Sequence, residues 1–533
     1  MTPAVSTVMS EAVRKAYQGG HEDETLEPLV LIDKTGQPVG RIKNGDAVIF
    51  YNIRGEREVE LTQSLTEPEF SLFPVEKNVH YSFATMIEYQ AGLKVRAAFP
   101  PEGIIEDTLS ESLSRQNLKQ AKITEAEKAV HVGFFLSGKR NDPFPGEERI
   151  VIPTRKDVAL FDEAPEMSID RITEAVIDKI RDPACSFIFA NFPNVDVVGH
   201  IENEKAILRA IEAVDRCTGL VIHEAVRAGM TVIVTADHGT VEKWLYPDGA
   251  IDTGHTDSPV PFILIPHEQH LTLCQGGELS DVAPTVLALM GIPKPKLMTG
   301  RSLVDLYSAG GMKPCRRLLL LLLDGWGFNE CMTGNLIARA QTPVMDRLTR
   351  TYPWTTLQAS GVAVGLPAGT VGNSEAGHLH IGAGRRIYAD RVRIDSAIAD
   401  GSFFQNPAFV EVMRTAKTKG TTLHLLGIVS FFSSHGSLSH LLALMELAKK
   451  EGIKNVFIHA MLGRRGELPE SGANYIREIE EKSEEIGLGR VVSVIGRYWS
   501  MDREENWDRI EKTYRMLIYG EGTPIEDEDK GIG

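Results

Sequence analysis

Ser374 lies in a run that contains several small residues, Val371-Gly-Asn-Ser-Glu-Ala-Gly-His378. A serine side chain in such a setting could take part in catalysis. Small residues at a turn leave a neighbouring side chain open, so the hydroxyl of Ser374 is a candidate nucleophile. Glycine and asparagine also form ordinary turns, and a structural loop is the alternative at this point. A serine hydroxyl needs a base or a metal ion to activate it.

Aspartate and histidine residues that follow or precede apolar runs could bind such metal ions. Both residue types bind divalent cations, and the carboxyl ends of parallel strands meet at one edge of a sheet. A single histidine of this kind is more often a loop or core residue, but the repetition of the pattern favours a metal centre. The candidates are Asp196 and His200 after residues 186–190, Asp237 and His238 after Thr231–Thr235, His255 before residues 261–265, and Asp324 after Leu318–Leu323.

Basic residues follow other predicted strands and could bind an anionic substrate. Arg54 and Arg57 follow the apolar run 46–52, where two guanidinium groups can hold a phosphate by paired hydrogen bonds; solvated loop charges are the alternative. Lys128 precedes the apolar run 132–136 and is a candidate phosphate ligand, against the alternative of an ordinary surface lysine. Similar positions nearer the C-terminus are occupied by His435, Arg465, Arg497 and Arg503.

Composition limits the class of protein and its partners. The chain has 533 residues, which predicts two domains, and a net charge of −16, which disfavours nucleic acid or an anionic membrane as the main partner. Its five cysteines include no Cys-x-x-Cys pair, so neither a disulfide framework nor a zinc ribbon is indicated. Residues 1–20 lack the apolar segment of a signal peptide, and Leu318–Leu323 is too short to span a bilayer. We therefore expect a cytoplasmic protein.

Apolar runs alternate with segments of helical periodicity, which predicts an α/β fold with parallel sheets. The tail from residue 521 onward is expected to be frayed. Strands are predicted at 29–32, 46–52, 80–89, 186–190, 231–235, 261–265, 318–323, 421–429, 456–460 and 490–495, and helices at 1–20, 107–117, 203–228, 438–450, 471–486 and 505–519.

Seven motifs together resemble those of a known enzyme family. LLLDGWG, VGNSEAGH, NVDVVGH, TADHG, GHTDSPVP, GRY and MDRE are similar to motifs of the cofactor-independent (2,3-bisphosphoglycerate-independent) phosphoglycerate mutases of the alkaline phosphatase superfamily. In that family the LLLDGWG segment comes first and the TADHG segment last, whereas here the order is reversed. The chain therefore resembles a circular permutant, with Met312 at the usual start and residues 308–311 joining the former ends.

The resemblance implies two α/β domains. The first is an alkaline-phosphatase-like sandwich that carries the metals and is continuous over residues 104–388. The second is a smaller substrate-binding phosphotransferase domain, split between residues 1–103 and 389–533. Permutation is tolerated where the former ends lie close together and the new ends are exposed.

The resemblance also implies a role for each candidate residue. Two divalent metal ions are expected, Mn²⁺ first and Zn²⁺ or Co²⁺ as alternatives, with no 2,3-bisphosphoglycerate. Ser374 would attack the phosphate of a small phosphorylated carboxylate and form a phosphoserine, which interconverts 3- and 2-phosphoglycerate, an isomerase reaction of glycolysis. A monomer is expected, with no nucleic-acid or membrane partner. Asp196, His200 and His255 would hold one metal; Asp324, Asp237, His238 and Ser374 the other; and His435, Arg465, Arg497, Arg503, Arg54, Arg57 and Lys128 would bind substrate.

Two loops depart from the family pattern. Where the family has SDGGVHSH, residues 430–437 read SFFSSHGS, which introduces Phe431, Phe432 and Ser433. Where the family has DGRD, residues 463–466 read GRRG, so Gly466 replaces the carboxylate that contacts the substrate hydroxyl. We therefore expect serine chemistry to persist while mutase activity is impaired or redirected. The alternatives are a phosphatase, a phosphoryl or phosphonyl transferase acting on another phosphocarboxylate, and a binding protein without catalysis.

Overall fold

The chain forms two compact units in a computed structural model that describes residues 7–77, 79–158, 160–267, 270–305, 313–430, 433–463 and 470–526. Unit 1 comprises Met1–Pro101 with Asp390–Gly533, and unit 2 comprises Glu102–Ala389. Each unit has its own sheet and its own apolar core. Met312, Arg465 and Gly466 lie outside the described residues, as do the residues predicted to join the former chain ends.

The strands are short and mostly buried. They are β1 (Leu29–Ile32), β2 (Ala47–Phe50), β3 (Ser82–Ile87), β4 (Arg96–Phe99), β5 (Lys119–Glu125), β6 (Glu147–Ile152), β7 (Cys185–Phe192), β8 (Thr231–Thr235), β9 (Val260–Ile265), β10 (Leu318–Leu323), β11 (Trp354–Leu357), β12 (Leu423–Ile428), β13 (Val456–Leu462), β14 (Arg490–Gly496) and β15 (Thr523–Glu526).

Helices alternate with these strands along much of the chain. Within the described ranges, no helix is both long and apolar enough to cross a membrane. The α-helices are α1 (Val8–Gln18), α2 (Val59–Thr66), α3 (Leu109–Arg115), α4 (Ile169–Arg181), α5 (Asn194–Gly199), α6 (Glu204–Arg227), α7 (Val282–Leu289), α8 (Leu336–Arg339), α9 (Pro343–Thr351), α10 (Ser374–Ala383), α11 (Asp390–Asp400), α12 (Pro407–Lys419), α13 (Leu438–Glu451), α14 (Gly472–Ile486), α15 (Arg497–Ser500) and α16 (Trp507–Tyr519).

Each unit is built on a mainly parallel sheet. In unit 1 the strand order is β15-β1-β14-β13-β12-β2-β3-β4, and only the β1–β14 pairing is antiparallel. In unit 2 the order is β11-β9-β8-β10-β7-β5-β6, with β9 and β11 antiparallel to their neighbours. Parallel strands need crossover connections, which the intervening helices supply. The predicted fold class, two α/β domains, is confirmed.

The leucine run of β10 forms the middle of the unit 2 sheet. All six of its side chains are buried, as expected for a strand covered on both faces. It pairs in parallel with β7 on one side and β8 on the other, so that Leu320 lies between Phe189 and Ile233. Asp324, the next residue after β10, is therefore held at the carboxyl edge of the sheet.

Five strands, β4, β5, β6, β11 and β15, were not predicted from the sequence. β15 pairs in parallel with β1, with Leu31 opposite Ile525, so the expectation of a frayed tail is wrong for residues 523–526. β5 has a polar sequence although most of its residues are buried, so sequence analysis did not recognise it as a strand. Its Lys122 is fully buried, but its ammonium group donates to Ser137 Oγ at 2.6 Å and pairs with Glu147 at 3.2 Å. A buried ion pair with further hydrogen bonds lets a lysine occupy a core position.

The unit 1 sheet contains a buried row of polar side chains across three strands. His424 Nδ1 lies 2.9 Å from His459 Nε2, and His459 Nδ1 lies 2.7 Å from Ser493 Oγ. His424 Nε2 lies 3.2 Å from a carboxylate oxygen of Asp46. Burial lowers the pKa of both histidines, although Asp46 opposes the shift at His424. Both imidazoles are therefore buried as neutral groups.

These histidines make the stability of unit 1 dependent on pH. An unfolded histidine has a pKa of about 6.5, so below that pH the unfolded chain binds more protons than the folded one. We expect the free energy of unfolding to fall as the pH drops from 7 to 5.5, by about 1 kcal/mol for each buried histidine. Urea unfolding of His459→Gln should show a shallower pH dependence. The exposed His223→Gln is the control, and equal slopes in both variants would contradict the assignment.

Candidate functional site

Polar residues from the parallel strands converge at one edge of the unit 2 sheet. Lys128 ends a 3₁₀ turn directly after β5, and Asp196 lies in α5 just after β7. Asp237 and His238 follow β8, and Asp324 follows β10. Because the carboxyl ends of parallel strands share an edge, residues distant in sequence meet there.

The Ser374 hydroxyl lies inside this cluster. Ser374 is the first residue of α10, and the Asn373 side chain caps that helix by accepting from Ala376 N at 2.8 Å. Ser374 Oγ lies 2.6 Å from Lys128 Nζ and 2.9 Å from His238 Nε2. It also donates to Asp324 Oδ1 at 3.3 Å. The hydroxyl thus contacts a cation, an imidazole and a carboxylate.

Lys128 connects several members of this cluster by hydrogen bonds. Its ammonium group donates to Asp196 Oδ2 at 2.6 Å and to Asp324 Oδ1 at 2.8 Å, besides its bond to the serine. The side chain is buried rather than at the surface. The structure therefore places this residue, which the sequence suggested as a phosphate ligand, among the predicted metal ligands.

Two histidines on the other side of Asp196 face each other. His255 Nε2 lies 3.1 Å from Asp196 Oδ1, and His200 Nε2 lies 3.3 Å from the same oxygen. Their Nδ1 atoms lie against the backbone carbonyls of Gly372 and Thr253, which fixes hydrogen on Nδ1 and leaves the lone pair on Nε2. The two Nε2 atoms are 3.1 Å apart, so these imidazoles and the Asp196 carboxylate offer three possible ligand atoms close together.

The ligand geometry fits two cations. Asp196, His238 and His255 bring ligand atoms within 4.8 Å of one another, and so do Asp237, His238 and Asp324. Asp237 and Asp324 are fully buried, and Asp237 Oδ2 has no hydrogen-bond partner in the described part of the chain. Buried carboxylates are stable only when paired or bound to metal. The donor set therefore suits divalent metal ions.

The charges in the cluster shift one another's pKa. Burial alone would raise the pKa of Asp196 and Asp324, but the Lys128 ammonium outweighs burial and lowers both well below their usual range. Burial would lower the pKa of His238, yet the surrounding carboxylates, Asp237 first, raise it to about 10. The pKa of Lys128 is raised above its usual value for the same reason. Lys128 and His238 thus offset the negative charge of the carboxylates around them.

A second layer of side chains orients the cluster, and its roles were not predicted from the sequence. Asn191, the seventh residue of β7, donates to Asp324 Oδ2 at 2.7 Å and lies 3.1 Å from His378 Nε2. His378 lies one helical turn after Ser374, and its Nδ1 contacts the Ser374 carbonyl at 2.8 Å and Asp237 at 3.2 Å. The four-residue spacing between Ser374 and His378 was the one available signal, since such residues share a helix face.

Thr240 and Glu242 support the same edge from the loop after β8. Thr240 Oγ1 donates to Asp196 Oδ1 at 3.4 Å, and Glu242 accepts from Thr240 N at 2.9 Å. Glu242 also accepts from the Thr256 hydroxyl. A side chain at Gly327 would come within 2.2 Å of the Glu242 carboxylate, so only glycine leaves room there.

Three of the predicted substrate residues lie together in unit 1. Arg54 and Arg503 both pair with Glu56 Oε1 at 3.0 Å, and Arg57 donates to the Met501 carbonyl at 3.0 Å. Arg54 and Arg503 are about half exposed, so these surface ion pairs are weak and an anion can displace them. The loop after β2 thus presents guanidinium groups at the carboxyl edge of the sheet.

The other predicted substrate residues differ in how the structure places them. Arg497 is the first residue of α15, directly after β14. His435 follows β12, and its Nδ1 lies 3.1 Å from Glu58, a residue that sequence reasoning did not select. Arg465 lies outside the described residues. The structure thus brings together every predicted metal ligand in unit 2, and it places most predicted substrate residues at one edge of unit 1.

Comparison with known proteins places this chain among metalloenzymes. Residues 28–294, half of the chain, match the model of the Metalloenzyme superfamily. Residues 394–532 match a second model, described as the BPG-independent PGAM N-terminus.

Individual relatives share about two fifths of their aligned residues with this chain. A 2,3-bisphosphoglycerate-independent phosphoglycerate mutase of Syntrophotalea carbinolica is 40% identical over 309 residues, which are 57% of this chain and 59% of that protein. One from Thermomicrobium roseum is 41% identical over 308 residues, 56% of this chain and 58% of that protein. The chain thus spans less than two thirds of the length of these relatives. A crystal structure of Leishmania mexicana phosphoglycerate mutase at low cobalt concentration aligns over 51% of this chain and 53% of that one, with 27% identity and a TM-score of 0.36. On the superfamily match, the chain belongs to the Metalloenzyme superfamily.

Proposed function

We propose that the protein is a metal-dependent phosphomutase that interconverts 3- and 2-phosphoglycerate through a phosphoserine at Ser374. One observation carries this proposal: a buried serine hydroxyl lies 2.6 Å from Lys128 Nζ and 2.9 Å from His238 Nε2, beside the carboxylate of Asp324. Relatives named for this activity are 40% and 41% identical to the aligned part of the chain.

Two divalent metal ions fit the residues of unit 2, and we propose Mn²⁺, with Zn²⁺ or Co²⁺ as alternatives. When bound, such ions favour the alkoxide of the serine at neutral pH. The close approach of His200 and His255 to Asp196, and the buried carboxylates of Asp237 and Asp324 beside His238, support two positions. Asp196, His200 and His255 would hold one ion, and Asp237, His238, Asp324 and Ser374 the other.

The residues of the chain define two half-reactions. In the first, the Ser374 hydroxyl loses its proton, Oγ bonds to the substrate phosphorus as the P–O bond to glycerate breaks, and the released glycerate oxygen takes up a proton in balance. In the second, the other glycerate hydroxyl loses its proton and takes the phosphoryl group, and the electron pair of the Ser374–phosphorus bond returns to Oγ. Lys128, which already bonds that oxygen, would offset the negative charge that develops there.

The arginines of unit 1 would hold the glycerate between the two half-reactions. Paired guanidinium groups bind carboxylate and phosphate well, and Arg54 and Arg503 share only a weakly bound Glu56 in the described structure. We propose His435, Arg465, Arg497, Arg503, Arg54, Arg57 and Lys128 as the substrate-binding set.

We also propose that the chain is a natural or engineered circular permutant of this family. The order of the two family matches supports it, because the model described as an N-terminus matches residues 394–532, after residues 28–294. On either side of the predicted junction, Asp305 N bonds Thr272 O and Cys315 N bonds Leu289 O, so both flanks are anchored in unit 2. Unit 2 would be the metal domain, predicted at 104–388, and unit 1 the substrate domain, predicted at 1–103 and 389–533.

A glycolytic, cytoplasmic and monomeric enzyme remains our proposal for its setting. The five cysteines are all unpaired thiols, as a reducing compartment allows.

A phosphatase, or a transferase acting on another phosphocarboxylate, is the second candidate. The observation that favours it is the glycine at position 466, where the resembled family carries a carboxylate beside the acceptor hydroxyl. Without that group, water or a different acceptor would take the phosphoryl group from Ser374.

Removing the nucleophile should abolish the reaction. We expect Ser374→Ala to lower the turnover of 3-phosphoglycerate with Mn²⁺ by at least about 10⁴-fold, because no covalent intermediate can form. The measurement is an enolase-coupled assay, with mass spectrometry of quenched wild-type protein to detect phosphoserine at residue 374. Glycerate and free phosphate as the only products would replace the mutase proposal with the phosphatase one. Activity that persists in Ser374→Ala would contradict both.

Metal binding should stabilise the protein measurably. A ligand at 100 times its Kd adds about 2.7 kcal/mol to the free energy of unfolding, so Mn²⁺ should raise the melting temperature and EDTA should reverse the change. Asp237→Asn should show a smaller rise, while its metal-free melting temperature should not fall, since one of three mutually repelling buried carboxylates is lost. Asp178→Asn, on an exposed position of α4, is the control. An unchanged Mn²⁺ response in Asp237→Asn would contradict the site.

A further inference from the structure

One short turn of unit 2, residues 239–242, lies against loops that present the predicted metal ligands. It follows His238 directly. Thr256 N, in the loop before β9, donates to the Gly239 carbonyl at 3.0 Å. Asn329 Nδ2, in the loop after β10, donates to the Glu242 carbonyl at 3.0 Å. The turn therefore connects three loops that are far apart in the sequence.

The Glu242 side chain is the buried centre of this turn. It is fully buried, and both of its carboxylate oxygens accept hydrogen bonds, Oε2 from Thr240 N at 2.9 Å and Oε1 from the Thr256 hydroxyl. Among the residues that the structure describes, these two neutral groups are the only donors to the carboxylate. A buried charged oxygen is costly to leave without a donor, so the two loops cannot move apart freely.

Glycine lets the carboxylate reach both threonines. A Cβ atom at Gly239 would lie 2.4 Å from Glu242 Oε1 and 2.5 Å from Thr256 Oγ1, and one at Gly327 would overlap the same carboxylate. Gly239 directly follows one predicted metal ligand, and Gly327 lies three residues after another, Asp324. Two of the ligand-bearing loops are therefore without side chains at the point where they pack on Glu242.

Thr256 connects Glu242 to the neighbouring residue, His255. The Thr256 carbonyl accepts from Gly372 N at 3.3 Å, and the Gly372 carbonyl lies 3.0 Å from His255 Nδ1. This bonding holds the His255 ring with its centroid 4.0 Å from that of the His238 ring. Because these two histidines belong to different proposed metal positions, the link from Glu242 to Thr256 bears on how the two positions lie relative to each other.

We propose that Glu242 is a positioning residue that sets the relative placement of the two metal positions of unit 2, acting through Thr256. Its bond to Thr240 N fixes the loop that carries His238, and its bond to the Thr256 hydroxyl fixes the loop that carries His255. This inference rests on the proposed function, because it takes from it the two divalent ions. The second position depends less on Glu242, since two of its carboxylates follow the central strands β8 and β10 and are held by the sheet itself.

Two substitutions remove the same bond from opposite sides. Glu242→Gln leaves one carbonyl oxygen, which can accept from Thr240 N, but its amide NH₂ group then faces Thr256 Oγ1 and the threonine hydroxyl loses its acceptor. Thr256→Val deletes that hydroxyl at nearly constant side-chain size. If one of the two variants fails to fold, the other still tests the inference.

Mn²⁺ binding to the full-length protein measures the effect without catalysis. We expect calorimetric titration to show two Mn²⁺ sites in wild type, and one of them to be weakened about 10- to 100-fold in Glu242→Gln, the range typical for loss of a group that orients a metal ligand. Thr256→Val should weaken the same site, and the double variant should be no weaker than either single variant, because both remove one bond. At two equivalents of Mn²⁺, the electron paramagnetic resonance spectrum should change from that of a coupled pair in wild type to that of an isolated ion in the variants.

Asp215→Asn is the matched control. Asp215 is 2% exposed, lies in α6 of the same unit, and accepts from Val344 N at 3.0 Å and Met345 N at 2.8 Å with its two oxygens. Its partners belong to α9 rather than to a ligand-bearing loop, so we expect wild-type Mn²⁺ affinities in this variant even if its melting temperature falls.

Three results would overturn the inference: unchanged affinities in Glu242→Gln and Thr256→Val, equal weakening of both sites, or additive losses in the double variant. Wild type that binds no Mn²⁺ would reject both this inference and the proposed function. Wild type and variants that bind Mn²⁺ as expected, in a protein that forms no phosphoserine from 3-phosphoglycerate, would reject the proposed reaction while supporting the role of Glu242.

Discussion

Mutual repulsion among three buried carboxylates is the constraint on which unit 2 depends. Asp196, Asp237 and Asp324 each follow a different parallel strand, and almost none of their surface is exposed. Such a group of charges cannot be buried without positive charge close by. Lys128 and His238 provide it in the described structure, and metal ions fit the same carboxylates. The sheet therefore has to deliver cations and carboxylates to one edge, and Ser374 lies where both are within hydrogen-bonding distance.

Sequence analysis predicted the ligands that follow apolar strands, and it missed β5, a buried strand with a polar sequence. The leucine run before Asp324 and the valine-rich run before Asp237 are recognisable as buried strands from their composition alone. β5, which delivers Lys128, has the sequence KQAKITE and resembles a surface segment. Burial of Lys122 in β5 depends on its ion pair with Glu147 in β6. No local sequence pattern reveals this long-range pairing. The sequence suggests Lys128 only as a phosphate ligand, and its bonds to two carboxylates and the serine become evident in the structure.

The residues that orient the carboxylate cluster could not be predicted from the sequence for a related reason. Asn191 and His378 touch Asp324, Asp237 and the Ser374 carbonyl only because β7, β10 and α10 pack side by side, far apart in sequence. Family resemblance supplied the chemistry of the ligands, and periodicity supplied the strands. Neither the resemblance nor the periodicity specifies which neutral side chain orients a carboxylate of the cluster. The same holds for Glu58, whose neighbours in the sequence suggest only a charged loop.

The two units hold their buried charged groups in different ways. In unit 2 a dense set of charges surrounds the Ser374 hydroxyl, so any charge that develops on this oxygen meets cations already in place. In unit 1 a single buried carboxylate, that of Glu58, lies 3.1 Å from Nδ1 of one imidazole, that of His435. Because the carboxylates of unit 2 share Lys128 and His238 as cationic partners, removing any one of them changes the charge balance of the whole cluster.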